Sequence, residues 1–251
     1  MQKALITGAS SGIGKEFAFL LAENGHDLVL VARNINELIK VKNEITKNYK
    51  IKVIVYSSDL SLPNSAKKLY DAIKKEDIEI LINNAGVGLV GDFFHDDLER
   101  TTQMTQLNMI SLMELSKLFG QDFLEKNRGK ILNIGSITAF IPGPKQPVYY
   151  ATKSFVRSLS RALAYNLKGS NITVTTLHPG VTKTKFFDSS NAANFKGGAS
   201  AKSVAKLGYK AMMSGKIEVT HGISNKILTN IFVRLIPYRL QTIIVGKASE
   251  V

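Results

Sequence analysis

Residues 3–14 read KALITGASSGIG. A short apolar run breaks at a turn with glycines at 8, 12 and 14, and the turn opens onto the stripe Ile13, Phe17, Leu20 and Leu21 of an amphipathic helix. Gly8 permits the tight turn. Gly12 and Gly14 let backbone approach a pyrophosphate at the helix N-terminus, where unpaired N–H groups and the helix dipole attract anions. Gly8, Ser10, Ser11, Gly12, Ile13 and Gly14 are therefore candidate dinucleotide-binding positions. Their spacing is G-x-x-x-G-x-G, not the G-x-G-x-x-G of other dinucleotide folds.

The same strand–helix unit recurs along the chain. Further candidate strands are Asp27–Ala32, Lys52–Ser57, Glu79–Asn83, Lys130–Gly135, Thr173–Leu177 and Ile217–Thr220, and another helical stripe runs through Leu38, Val41 and Ile45. The strands are nearly continuous in Val, Ile and Leu, as strands covered on both faces are. A βαβα rhythm implies a parallel sheet with right-handed crossovers. The expected fold is α/β and doubly wound: a seven-stranded parallel sheet with helices on both faces, in a single domain over 1–251.

Two segments stand apart. A substrate-loop or lid region is expected over 186–214, centred on the small, polar stretch DSSNAANFKGGAS at 188–200; a plain connector is the competing reading. A helical extension is expected over 223–251, apolar but broken by Arg234, Pro237 and Arg239. It suits, in that order, a helix pair packed on the body, an oligomer contact or an interfacial membrane helix.

The second strand ends in Ala32, Arg33 and Asn34, with no carboxylate to hold a ribose 2′-hydroxyl. Arg33 can grip a 2′-phosphate bidentately, which favours NADP(H) over NAD(H); capping the sheet edge is its other reading. Further on, YYATKSF places Tyr149 and Lys153 four residues apart, on one face of a helix. An ammonium beside a phenol favours the phenolate, so Lys153 is expected to lower the Tyr149 pKa and make it an acid/base near neutral pH.

Composition narrows the alternatives. The 251 residues contain no cysteine, which excludes disulfides and thiolate metal sites, and no metal is expected. An apolar run starts within three residues of Met1, leaving no room for a signal peptide, and no run of 18 apolar residues occurs, so a cytoplasmic address is expected. The net charge is +13, and from Lys183 to Val251 nine Lys and two Arg face three acids. That excess reads either as a solvated lysine-rich surface or as a basic rim for a phosphorylated substrate carrier. No nucleic-acid motif accompanies it.

With these motifs in order, the chain resembles the short-chain dehydrogenases/reductases, in particular the bacterial subgroup related to 3-ketoacyl and 17β-hydroxysteroid reductases. The resemblance runs from Lys3 to Thr184. It rests on TGASSGIG, Asp59-Leu60 after the third strand, NNAG at 83–86, Asn108 in QLNMISL, Ser136 in ILNIGS, Tyr149 with Lys153, and the Pro-Gly after His178. It implies a Rossmann fold and NADP(H)-dependent interconversion of a carbonyl and an alcohol. Tyr149 would be the general acid/base and Ser136 the substrate-oxygen partner. Lys153 would tune the phenol and hold the nicotinamide ribose, and Asn108 would hold a water that links Lys153 to solvent. Asp59 and Leu60 would meet the adenine; Asn84, Ala85 and Gly86 would line the cofactor. Pro179, Gly180, Val181, Thr182 and Thr184 would flank the nicotinamide. Tyr150, three residues before Lys153, is not expected to be catalytic.

Gly88, Leu89, Phe93, Ile137, Phe140, Pro142, Phe186 and Phe187 are candidates for an apolar wall against a small-molecule substrate. The resemblance also implies a homodimer or homotetramer, formed through the helices that carry Asn108 and Tyr149. The alternative function is a non-catalytic NADP-binding regulatory or redox-sensing module.

Overall fold

A computed structural model describes residues 2–184, 186 and 198–248. Its strands are β1 (Lys3–Thr7), β2 (Asp27–Ala32), β3 (Val53–Ser57), β4 (Ile78–Asn83), β5 (Gly129–Ile134), β6 (Ile172–His178), β7 (Thr182–Lys183), β8 (Ala199–Ser200) and β9 (Glu218–Thr220). Seven of them form one sheet in the order β3-β2-β1-β4-β5-β6-β9, every neighbouring pair parallel; β7 and β8 make a separate ladder. Strand order reverses between β1 and β4, and in such sheets the crevice beyond the strand C-termini at that reversal is where ligands bind.

The helices are α1 (Gly12–Glu23), α2 (Ile35–Asn48), α3 (Ser65–Ile73), α4 (Leu98–Thr105), α5 (Leu112–Lys126), α6 (Pro147–Asn166), α7 (Ala201–Met213), α8 (Ile223–Ile227), α9 (Val233–Leu235) and α10 (Tyr238–Ala248). Alternation along the strands fills two cores. Ala4, Ile6, Leu28 and Leu30 pack against Phe17 and Leu21 of α1, Leu38 and Ile45 of α2, and Val204 and Met212 of α7. On the other face Leu5, Val29 and Val31 meet Leu69 of α3 and Phe119 and Phe123 of α5. Each large side chain buried so completely contributes roughly 1.5–3 kcal/mol.

The expected bounds of β1 and β2 hold, and the other sheet strands start or end within a residue of expectation. The lid reading of 186–214 needs correction. Its second half is α7, with Val204, Ala205, Ala211 and Met212 buried against α1 and the sheet, so 201–213 belongs to the core. A Cβ on Gly208 would come within 2.8 Å of both Phe17 and Leu177, so helix and strand meet there with no room for a larger residue. Phe187 and residues 188–197 lie outside the described residues. Over its described part the C-terminal extension holds the helices α8, α9 and α10.

Candidate active site

The glycine turn is held open by a neighbour. Gly8 and Gly12 adopt φ of +65° and +54°, a region that disfavours side chains. A Cβ on Gly14 would collide with the Gly8 carbonyl and the Asn84 amide. Asn84 Nδ2 donates to Thr7 O at 2.9 Å and Gly8 O at 3.1 Å, while Thr7 Oγ1 accepts from Asn84 N and Ala85 N, both at 3.0 Å. The Asn84 side chain is thus spent on shaping the turn. Gly86 lies deeper: a Cβ there would sit 3.1 Å from Asn108 Oδ1 and 3.7 Å from Lys153 Nζ. Ile13 is partly buried, with its side chain packed against the core.

Beyond the turn lies a groove of about 430 Å3, lined by Ser10, Ser11, Gly12, Lys15, Lys183 and Thr184 among others. The first turn of α1 carries no acid, and the Ser11 side chain caps none of its N–H groups. A backbone cradle that a Cβ would fill and uncapped N–H groups fit a dinucleotide pyrophosphate; of the two lysines Lys15 is paired with Glu44, and Glu16 and Glu37 share the lining. The Arg33 side chain is exposed at the end of β2, and Asn34 next to it caps α2 by accepting from Asn36 N and Glu37 N. Asp59 Oδ1 accepts from the backbone and hydroxyl of Ser61, and the Leu60 side chain is in the core while its carbonyl accepts from Ser111.

Pro147 in the first turn starts α6, which carries Tyr149, Thr152 and Lys153 on its buried face. Lys153 Nζ donates to Ile134 O at 3.0 Å and lies 5.8 Å from the Tyr149 ring centre. Ser136 follows β5; its Oγ accepts from Thr138 N at 3.1 Å, leaving its own proton to donate. Asn108 sits in a widened, π-helical turn, Gln106–Ser111, between α4 and α5. Its Nδ2 donates to Val87 O at 2.9 Å and Thr152 Oγ1 at 3.2 Å, and its Oδ1 accepts from Val87 N at 3.0 Å. Thr152 in turn donates to Tyr149 O. All four expected catalytic residues converge, but the Asn108 side chain braces the loop after β4, so only its backbone could hold a water.

One expectation reverses. Burial pushes the Tyr149 phenol up to about 12, against the Ser136 and Thr138 hydroxyls that favour the phenolate. Burial also brings Lys153 down to about 8. For the phenol, desolvation outweighs those two hydroxyls.

The end of β6 supplies what the sequence reading missed. His178 is fully buried, and its Nδ1 meets Ser136 O at 3.1 Å; a carbonyl only accepts, so that nitrogen carries the proton. Burial drives its pKa down to about 4. Ile137 N donates to Pro179 O and Gly135 N to Leu177 O, so both sides of Ser136 are pinned to β6. Thr182 donates to Gly180 O, and Asn225 blocks any Cβ on Gly180. Two asparagines tie the strands below: Asn83 Nδ2 donates to Asn133 Oδ1 and Ser116 Oγ, and Asn133 Nδ2 to Ser160 Oγ. No spacing announced that ladder.

The apolar wall is only partly as expected. Phe186 stands 5.7 Å from the Tyr149 ring, with Gly88 against it. Phe140 instead packs on the His178 ring at 4.8 Å, with the Arg157 guanidinium 4.0 Å above it, so it backs the site. Phe93 is half exposed. Tyr150 packs over Gly143, consistent with a structural role.

The sequence profile of short chain dehydrogenases matches residues 2–194. A very-long-chain 3-oxoacyl-CoA reductase of Coccidioides immitis is 36% identical over 176 residues, 68% of this chain and 50% of that protein. An NADP-dependent 3-hydroxy acid dehydrogenase of Schizosaccharomyces pombe is 33% identical, with 72% of each chain covered. The chain spans 50–60% of the 3-oxoacyl-CoA reductases it first matches. A Sphingobium yanoikuyae short-chain dehydrogenase solved with NADPH superposes with a TM-score of 0.84, 29% identity and 89% of both chains covered. A 7β-hydroxysteroid dehydrogenase shares the fold at a TM-score of 0.89, 22% identity and coverage of 97% and 96%. Profile, relatives and the assembled site agree: the chain belongs to the short-chain dehydrogenase family of nicotinamide-dependent oxidoreductases.

Proposed function

We propose that the chain reduces a hydrophobic carbonyl to an alcohol with NADP(H), 3-oxoacyl thioesters being the first substrate class to try. The convergence of Ser136, Tyr149 and Lys153 beyond the C-terminal ends of β4 and β5 carries this reading. The cofactor supplies the hydride when bound. Ser136 donates its hydroxyl proton to the carbonyl oxygen and stabilises charge growing there. Tyr149 gives that oxygen its phenolic proton. Lys153, fixed by the Ile134 carbonyl, stands close enough to stabilise the resulting phenolate. The names of the relatives support the substrate class, and the NADPH-bound neighbour supports the cofactor.

The test is an NADPH-oxidation screen over ketones, aldehydes, 3-oxoacyl thioesters and sugars. Tyr149→Phe should cost about 10²–10⁴ in kcat while leaving NADPH affinity near normal, since general acid/base groups contribute on that scale. Undiminished turnover would refute the assignment, and NADPH binding without turnover on any carbonyl would point to a regulatory module. Arg33→Ala should raise the KM for NADPH roughly 10–100-fold and spare NADH, the loss expected of charged hydrogen bonds to a 2′-phosphate. Equal effects on both cofactors would leave Arg33 a sheet-edge residue. Exposed Met113 and Leu124 on α5 and Tyr165 on α6 favour assembly into a dimer or tetramer through those helices, which light scattering can read.

A further inference from the structure

The C-terminal extension is inside-out. Ile223, Ile227, Ile231 and Leu235 follow at steps of four and are 79%, 53%, 53% and 76% exposed. Among residues 223–236 the one buried residue is polar, beside partly buried Leu228, Val233 and Ile236. Thr229 is buried, donates to Asn225 O at 2.9 Å and lies 3.4 Å from Thr220 Oγ1; Asn225 donates to His221 O at 2.8 Å. In α10 the pattern repeats. Gln241 is buried and donates to Val233 O and Ile236 O, both at 2.8 Å, while Tyr238, Leu240, Ile243 and Ile244 are exposed. A helix packed on a water-soluble body has the reverse arrangement. Single exposed apolar residues are ordinary, but an aligned row backed by a buried threonine and a buried glutamine marks a docking face.

Charge identifies the occupant. From Val219 to Lys247 there is no Asp or Glu, and Lys226, Arg234, Arg239 and Lys247 are all exposed. We infer that the face formed by α8 to α10 docks on an anionic lipid bilayer, its isoleucines and leucines at the acyl boundary and its cations on lipid phosphates. Among the described residues no helix is long and apolar enough to cross, so the contact is peripheral. A second copy of the chain fits less well, because a self-complementary contact would set this cation-only surface against itself. The tail touches the turn that leads into α6. A Cβ on Gly246 would lie 3.6 Å from Pro144, and Gly91 N donates to the Lys145 carbonyl next to it. Through that turn α10 abuts the loop that follows β4 and carries the exposed Phe93 and Phe94.

Co-sedimentation with vesicles tests the docking without any activity measurement. The full chain should bind vesicles of phosphatidylcholine mixed with phosphatidylglycerol, bind far less to phosphatidylcholine alone, and release with salt. Arg234→Gln with Arg239→Gln should lower partitioning roughly thirtyfold. Ile227→Asp with Leu235→Asp should lower it more than about tenfold. NADPH binding should be unchanged in both variants, which reports the fold; if the aspartates disturb the tail, the arginine pair carries the test alone. Failure to bind the mixed vesicles, or binding that neither variant weakens, overturns the inference. A dimer that the aspartate pair dissociates, without vesicle binding, assigns the face to a second copy.

Discussion

His178 donates from Nδ1 to the Ser136 carbonyl, and burial holds its pKa at about 4 instead of 6.5. Glu218 acts against that shift, whereas Arg157 and Lys153 reinforce it. The folded chain therefore keeps a neutral imidazole below pH 6.5, where the unfolded chain takes up a proton. Stability is fully present above pH 6.5 and is lost as pH falls towards 4, by about 3 kcal/mol from this residue. His178→Gln removes the titration, so its thermal midpoint should decline less steeply than that of the parent between pH 6.5 and 4. The depressed carboxylates of Asp71, Asp77 and Asp92 titrate in both proteins and cancel in the comparison. Parallel acid limbs would show that His178 is not the group responsible. Neither this residue nor the direction of the Tyr149 pKa was legible in the sequence. Spacing reveals that Lys153 neighbours Tyr149, but how much water both lose depends on strands far away in the chain.

At the scale of elements, the segment from α4 through the π-helical turn into α5 serves as a brace. Its Asn108 satisfies both backbone polar groups of Val87, immediately after the Asn84–Gly86 stretch that abuts the glycine turn. Asn108→Ala would leave a partly buried N–H and C=O of Val87 without partners, at up to about 1–3 kcal/mol each. Denaturant unfolding should show a loss of roughly 2–4 kcal/mol, and the loosened loop should also raise the KM for NADPH. Unchanged stability would mean that Val87 finds other partners. QLNMISL reads as helix from its residues, and helix it is; the widened turn has no composition signature, although such turns gather at functional sites. The strands were legible nearly to the residue because both their faces are buried and the apolar run ends where the cover ends. For the tail the pattern was legible and the orientation was not: a stripe at steps of four says which residues share a face, not that the face looks outward.

Across the whole molecule the net charge is +13, and the stretch from Lys183 to Val251 holds nine Lys and two Arg against three acids. Lys183 lines the groove beyond the glycine turn, and the cations of α8 to α10 are exposed. A field of this kind accelerates encounter with anionic substrates and leaves neutral ones unaffected. A 3-oxoacyl thioester of a phosphorylated carrier and a neutral ketone would use the same cofactor, so the effect of salt on cofactor binding cancels in the ratio of their kcat/KM values. What is left reports the charge of the substrate alone. Raising ionic strength from about 0.1 to about 1 M shortens the Debye length from about 10 to about 3 Å. The ratio of thioester to ketone kcat/KM should then fall several-fold, driven by the thioester. If both decline in parallel, the basic excess is a solvated surface with no part in substrate capture, and the reading of it as a rim for a phosphorylated carrier falls.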